Sequence, residues 1–461
     1  MSYAAPPGGF RTFLMLWASQ SVSVFGTALS IFAINIWLVQ VVYPLPEQRA
    51  ELGWALAAVG LAMGVPATIA APIAGALADR MDRKRLMLSM DLVNGVIAAV
   101  MAYLMGTDLL QLWMVLIILA TLSVTHSIHG SAFDTSYAML VPDEQLPRAN
   151  GMMQTMWSLS SVLSPAIAAT IIALPSMARQ GLLPGSIGTA LAGLHNGATL
   201  ALTVDAITFF LAGLVLAFLV IPSPKRADLE ETDRKKKPSI WADVRFGAAY
   251  IWRRPPLLWL LATFAVVNLG LQMGVFLPLL VKVDLAPDWT ARGMSYEAAL
   301  AALNTAMAVG GLAGGFIVSL WGGARKKRVL VLMGSMMLTG LAQIWLGFSS
   351  ILYVGMVAIF LWNFFGPVSN AHSQAIWQGQ VPREMQGRVF AIRRVIAWSL
   401  GPLGQVLAGL LAGLVNPGLG LALLGGMIAL FTFGQFFNPQ VMRVEDKAYL
   451  DRLAGEAAVG Q

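Results

Sequence analysis

The sequence predicts an all-α membrane protein of twelve transmembrane helices in two pseudo-symmetric six-helix bundles. Three observations carry this expectation. Of 461 residues, 57% are hydrophobic and 11% charged, and the mean hydropathy is +0.71, beyond what a soluble globular domain sustains. Apolar runs of about twenty residues or more, long enough to cross a bilayer as helices, recur twelve times. The chain also repeats at an offset of 240: Val141, Pro142, Glu144 and Arg148 return as Val381, Pro382, Glu384 and Arg388, Gly75 returns as Gly315, and Arg85 as Arg325. One offset shared by separate loops points to a duplicated six-helix unit.

The runs lie near 13–42, 53–78, 86–106, 111–139, 149–174, 197–221, 257–283, 297–321, 329–348, 351–377, 389–415 and 418–441, and are termed spans 1 to 12. Span 1 is long enough to cross a bilayer, so it reads as a helix rather than a cleaved leader. Spans 5 and 11 carry Pro165 and Pro402 among small residues, which permits close packing and a bend, and span 10 carries a Gly366–Pro367 break. The division expected is a first bundle over 1–221, a linker over 222–256, a second bundle over 257–442 and a tail over 443–461. In the linker, Trp241 to Trp252 reads as an amphipathic helix lying along the membrane surface.

Charge sets the topology. One set of alternate loops holds Arg11, Arg80, Arg83, Lys84, Arg85, Arg148, the basic linker, Arg325 to Arg328, Arg383, Arg388, Arg393, Arg394, Arg443, Lys447 and Arg452; the other holds Arg49, Arg179, Lys282 and Arg292. By the positive-inside rule both termini are cytoplasmic. The net charge of +7 is therefore topological, and no nucleic-acid partner is expected. With no cysteine, disulfides, thiolate metal sites and Cys nucleophiles are excluded. His126 and His129 lack a recognisable third ligand, so no metal is expected, and no phosphate-binding G-x-x-x-x-G-K-[ST] loop or G-x-S-x-G elbow suggests a nucleotide, cofactor or enzyme chemistry.

Between spans 2 and 3, Gly75, Leu77, Ala78, Asp79, Arg80, Arg83, Lys84 and Arg85 resemble the G-x-L-A-D-R-x-G-R-K signature of the major facilitator superfamily, with Asp82 where many members carry glycine. The continuation "DRKRLMLSMDL" with Asp91, "LVPDEQLPRANGMMQ" and "LTVDAITFFLAGL" resemble its macrolide-efflux and enterobactin-exporter branch. The resemblance implies a secondary transporter in the inner membrane of a bacterial cell, working by alternating access. It also implies that Asp79 caps the start of span 11, near Gly387, where a helix N-terminus favours an anion, while Gly75 allows close helix approach. Arg80, Arg83, Lys84 and Arg85 complete this gating signature or serve as positive-inside anchors. In the second copy Ser319 stands at the Asp79 position. "SVLSPAIAA" in span 5 and "SLGPLGQ" in span 11 resemble the antiporter pattern G-x-x-x-G-P-x-x-G, which tilts the direction toward export; span 4 lacks the arginine that drug–proton antiporters of the family often carry, so the coupling ion stays open.

Ionisable groups inside a membrane are costly and therefore functional candidates. Asp205 in span 6 is the first choice to carry a coupling proton, with Asp134 and the pair His126 and His129 of span 4 behind it and Asp91 a further candidate; the structural alternatives are an ion pair of Asp91 with the basic loop at Lys84 and of Asp134 with Arg83 or Arg80. Arg393 and Arg394 are expected to snorkel to the surface. Gln20, Ser23, Thr27, Ser30 and Asn35 share a face of span 1, Asn268 and Gln272 one of span 7, and Asn363, Asn370 and Gln374 one of span 10. With adaptable Met and Trp surfaces opposite, they outline a cavity for an amphipathic small molecule. The expected function is export of such a molecule, of drug, macrolide or siderophore-like kind, by proton antiport; a lipid flippase or a substrate–proton symporter is the alternative. Expected partners are the cargo, protons and the lipid bilayer, with the protein a monomer and no cofactor.

Overall fold

The computed structural model describes residues 8–142, 146–183, 185–194, 196–221, 240–324, 326–381, 389–390, 392–393, 396–397, 400–446, 448–450 and 452–453, and these contain no strand. Eleven of its helices are long and apolar enough to cross a membrane; span 11 contributes the 14-residue helix Gly401–Leu414. Phe218 and Val220 are 80% and 83% exposed, as are many other large apolar side chains to a lesser degree. That surface suits a hydrocarbon solvent, and the protein is a multipass membrane protein.

Span boundaries follow local chemistry. Span 3, Arg83–Gly106, starts where the Asp82 carboxylate accepts from Arg85 N–H at 2.9 Å, so the residue that replaces glycine in the signature is an N-cap. Ser295 caps span 8, Tyr296–Trp321, and Asn416 caps span 12, Pro417–Gln435. The duplicated Val-Pro pairs end spans 4 and 10 in the same way. Val141 follows Leu112–Leu140 at φ −100° and ψ 128°, and Val381 follows Leu352–Gln380 at φ −103° and ψ 123°. Each donates its N–H four residues back, to Tyr137 and Trp377. Span 10 runs through Pro367 without the break expected there. Span 7 is the one that breaks, into Pro255–Gly270 and Met273–Val283, and Gln343 Nε2 donates to the buried Gly270 carbonyl at 3.0 Å.

The chain forms two compact units, residues 1–44 with 58–235, and residues 45–57 with 236–461. In the first, span 1 (Gly9–Trp37, continued by a π turn over Leu38–Val42) packs on spans 5 (Leu146–Arg179) and 6 (Ala198–Phe218), and span 3 packs on spans 4 and 6. Phe13, Leu16, Met87, Phe133 and Leu216 fill one end of its core. In the second, span 8 packs on span 10, and span 9 (Arg328–Gly347) on spans 10 and 12. Glycine makes these approaches possible, since a Cβ at Gly340 would stand 2.7 Å from Gly425 O.

Two features depart from the expected division. The end of span 2 (Arg49–Arg80) belongs with the second unit through residues 45–57, where Gly53 lies against Ala412 and Gly409 faces the Trp54 ring. The linker helix, Ile240–Trp252, is docked on the second unit: Ile251 is buried in its core and Tyr250 Oη donates to Gln380 O at 2.9 Å.

Candidate functional site

Two polar clusters stand inside the apolar scaffold, one in each unit. In the first unit, span 1 turns Gln20, Ser23, Thr27 and Ser30 toward spans 3, 4 and 6. Gln20 Nε2 donates to Asp91 Oδ2 at 3.3 Å, and His129 Nε2 lies 3.2 Å from Asp91 Oδ1, though not in hydrogen-bond alignment. Asp91 is 1% exposed. Lys84 reaches elsewhere, donating to Ala217 O at the end of span 6, so the expected Asp91–Lys84 pair gives way to a buried Asp91–His129–Gln20 group.

Two turns further along span 1, Thr27 Oγ1 donates to Asp205 Oδ1 at 3.3 Å, and Asp205 is 2% exposed. Asp205, His126, Ser30, Thr27 and Ser123 share a cavity of about 40 Å³ closed by Met63, Met101 and Leu122. Its volume accommodates a water molecule or two. Of the two span 4 histidines, His129 stands beside Asp91 and His126 lines the cavity that Asp205 also lines. Nearby, Thr125 donates to the fully buried Asn94. Asn94 Nδ2 has no hydrogen-bond partner among the described residues. Asp134 is exposed on span 4, and Asn35 is half-buried outside both clusters.

In the second unit, a cavity of about 410 Å³ is lined by Asn268, Asn363, Asn370, Gln374, Thr339, Ser369 and Arg393 with Phe264, Met336 and Phe390. Four expected cavity residues therefore meet in one place. Gln272 does not join them; it is 4% exposed and packed against Gly404, bonding back to Asn268 O. Several lining groups are already engaged, Asn268 with Ala397 O and Asn363 with Met307 O. Arg393 does not snorkel: its Nη1 donates to Gln374 Oε1 at 2.7 Å and its Nη2 to Ser373 Oγ at 2.9 Å. Arg394 lies outside the described residues.

The gating signature divides. Arg83, 8% exposed, ties span 2 to span 4 by donating to Ala78 O and Thr135 O, each at 3.2 Å, which makes it more than a positive-inside anchor. Arg85 is exposed. No described atom lies within 4 Å of where a Cβ would stand at Gly75, so the expected close approach is not seen there. The side chains of Asp79 and Arg80, and residues 382–388 at the start of span 11, lie outside the described residues. In the second copy, His372 does the tying. Its Nδ1 contacts Val368 O at 2.8 Å and its Nε2 accepts from Ala324 N–H at 3.0 Å, holding the loop that follows Gly322 and Gly323 at φ 74° and 73°. Asn94, His372 and Arg393 were not marked by sequence as site residues, because only helix rotation shows which uncharged or flanking polar groups meet.

A twelve-span duplicated scaffold with polar clusters buried in each half defines a membrane transporter. Residues 21–405 match the Major Facilitator Superfamily, and the chain belongs to that family. It is similar to macrolide efflux protein A of Streptococcus pyogenes, 24% identical over 403 residues, which covers 87% of this chain and 89% of that one. It is also similar to the multidrug efflux pump Tap of Mycolicibacterium fortuitum, 26% identical over 435 residues, with 91% and 94% covered. Among solved structures, the POT family transporter PepTSo aligns with TM-score 0.64 at 12% identity, covering 95% of this chain and 99% of that one. A D-xylose-proton symporter aligns with TM-score 0.60 at 12% identity, covering 91% and 97%. These two likenesses bear on the fold alone.

Proposed function

We propose that the protein exports an amphipathic small molecule of drug, macrolide or siderophore-like kind across the bacterial inner membrane, with both termini in the cytoplasm, by alternating access and in exchange for protons. The observation that carries the cargo class is the cavity of the second unit, where amides and hydroxyls alternate with Phe264, Met336 and Phe390. Such a lining suits a mostly apolar molecule with a few polar groups. The relatives named for macrolide and multidrug efflux support the outward direction.

The proton reading rests on the first unit. A carboxylate inside a membrane is kept at a cost and so points to a function, and Asp205 combines burial, a hydroxyl donor and a small polar cavity shared with His126. One charge moved inward through a potential near ~150 mV supplies about 3.4 kcal/mol, enough for a gradient of roughly a few hundredfold in a neutral cargo. A single titrating site therefore suffices. In proteoliposomes with an imposed pH gradient, Asp205→Asn is expected to abolish uphill accumulation of a fluorescent drug while sparing counterflow, since asparagine keeps shape and polarity but does not titrate. Uphill accumulation by the mutant would move coupling away from Asp205, to Asp91 and His129. Cargo moving in the same direction as protons would make the protein a symporter.

A further inference from the structure

The two copies of the repeat tie corresponding loops to a neighbouring span by different chemistry. In the first, Arg83 reaches from the loop to span 4, donating to Ala78 O and Thr135 O. The offset of 240 puts Gly323 at the Arg83 position, and the tie comes from the other partner, His372 of span 10. Its ring takes the room that a side chain at residue 323 would need: a Cβ there would stand 3.3 Å from His372 Nε2.

Both ring nitrogens are engaged, and their contacts set the tautomer. Nδ1 lies 2.8 Å from Val368 O, which only accepts, so Nδ1 carries the hydrogen. Nε2 accepts from Ala324 N–H at 3.0 Å and is bare. The imidazole is therefore neutral in this arrangement. It is 2% exposed and packs against Trp321, with 5.6 Å between ring centroids.

Charged side chains on the surrounding elements are mostly basic. Lys326 and Lys327 are exposed in the loop, Arg328 Nε donates to Ala324 O at 3.1 Å, and Arg393 of span 11 is bonded to Ser373, next to His372. Glu445 accepts from Val329 N–H at the start of span 9. A second proton on the ring would set one N–H against another in these basic surroundings, which a buried site resists. The Arg83 guanidinium stays charged throughout.

We propose that His372 is a proton-operated latch on the loop that follows span 8. Neutral, it holds Ala324 to span 10; protonated at Nε2, it turns from acceptor to donor, loses the Ala324 bond and releases the loop, while the Arg83 tie of the first copy holds. The released state binds one more proton, so acid favours release. His372 is a positioning residue, acting through the loop it holds. That the latch responds to cytoplasmic protons rests on the topology proposed above.

The test is hydrogen–deuterium exchange at Ala324 in the full chain in lipid nanodiscs, with rates corrected for the chemical effect of pH on exchange. In the wild type, Ala324 is expected to exchange about fivefold or more faster at about pH 5.5 than at about pH 8, the interval in which histidines change charge, as one hydrogen bond is lost. The first-copy loop at Arg83 serves as standard in the same sample and should not change. His372→Gln, whose side-chain oxygen accepts without titrating, should keep Ala324 slow at both pH values; His372→Leu, with no acceptor, should leave it fast at both. If His372→Gln does not fold, the ¹⁵N shifts of the wild-type His372 ring decide, since their titration midpoint must coincide with that of Ala324 exchange. Wild-type exchange independent of pH, acceleration that persists in His372→Gln, an equal change at the Arg83 loop, or separate midpoints overturns the inference. Nanodiscs present both faces to one buffer, so the outcome depends neither on which face is cytoplasmic nor on the direction of transport.

Discussion

Gly26 decides how close span 1 comes to Asp205. A Cβ there would stand 2.9 Å from Asp205 Oδ1, 3.1 Å from its Cα, and in hard contact with Thr208 Oγ1. Thr208 is itself bonded to Asp205 O at 2.7 Å, and Asp205 is backed by spans 1 and 6, so little can yield. Gly26→Ala is expected to part the two helices, weaken the Thr27–Asp205 bond and destabilise the protein by about 1–3 kcal/mol. Thermal unfolding in detergent would register this as a lowered midpoint; an unchanged midpoint with normal transport would mean that the contact relaxes without cost. Asp205 and Asp91 were legible in the sequence, because an acid within an apolar run is conspicuous at any rotation. Their partners were not. Gln20 and Thr27 were read as walls of a cargo cavity, whereas each bonds to an acid inside its own bundle.

At the scale of elements, the segment between spans 7 and 8 does more than connect them. Asp288 accepts from Leu352 N–H at 2.9 Å and from Arg292 Nε at 2.9 Å, capping span 10, and Asp284 accepts from Gly418 N–H at 3.1 Å at the start of span 12. One short connection thus closes two helix N-termini. The Arg292 bond pulls the Asp288 carboxyl below the ordinary carboxylate range, while burial pushes that of Asp284 above it, only partly offset by Asn416 and Gly418. For Asp284 the folded state then binds more protons than the unfolded state between the ordinary value and the raised one, so stability falls as pH rises through that window. Asp284→Asn, which can still accept from Gly418, is expected to flatten this part of the pH profile and to raise the unfolding midpoint at neutral pH. A midpoint that drops at every pH would show that the negative charge itself is the cap. None of this was legible, because Asp284 and Asp288 sit between spans with no motif around them. Nor was the break in span 7 at Leu271–Gln272: Gly270 and Gly274 flank it, but glycines are common throughout the spans, and Gln343 from span 9, which bonds to Gly270 O, is known only from the fold.

For the whole molecule, hydropathy and the 240-residue offset carried the span count and the duplication, since both are written in residue types rather than in contacts. The matched Val141 and Val381 turns are the plainest case. The offset also misled: Gly75 and Gly315 correspond in sequence, yet the span 8 glycines that press on span 10 are Gly310 and Gly314, against Phe360 O and Phe364 O. Duplication preserved the path of the chain more faithfully than its helix contacts.

Residues 45–57 pack with a unit whose remaining chain begins at 236, and this bears on the order in which the protein is made. A ribosome delivers span 2 long before span 11, so Gly53 and Trp54 wait for Ala412 and Gly409 while some 350 residues are still to be synthesised. Until then the second unit is unfinished, and the first unit's chain holds the missing piece. A fragment of residues 236–461 expressed alone should leave the span 11 helix Gly401–Leu414 without this neighbour and open to protease, and co-expression with residues 1–235 should restore protection. Equal protection of span 11 in the fragment and the whole chain would show that the segment docks without stabilising. Otherwise the last helices to emerge are completed by one of the first, and assembly is committed only near the end of translation.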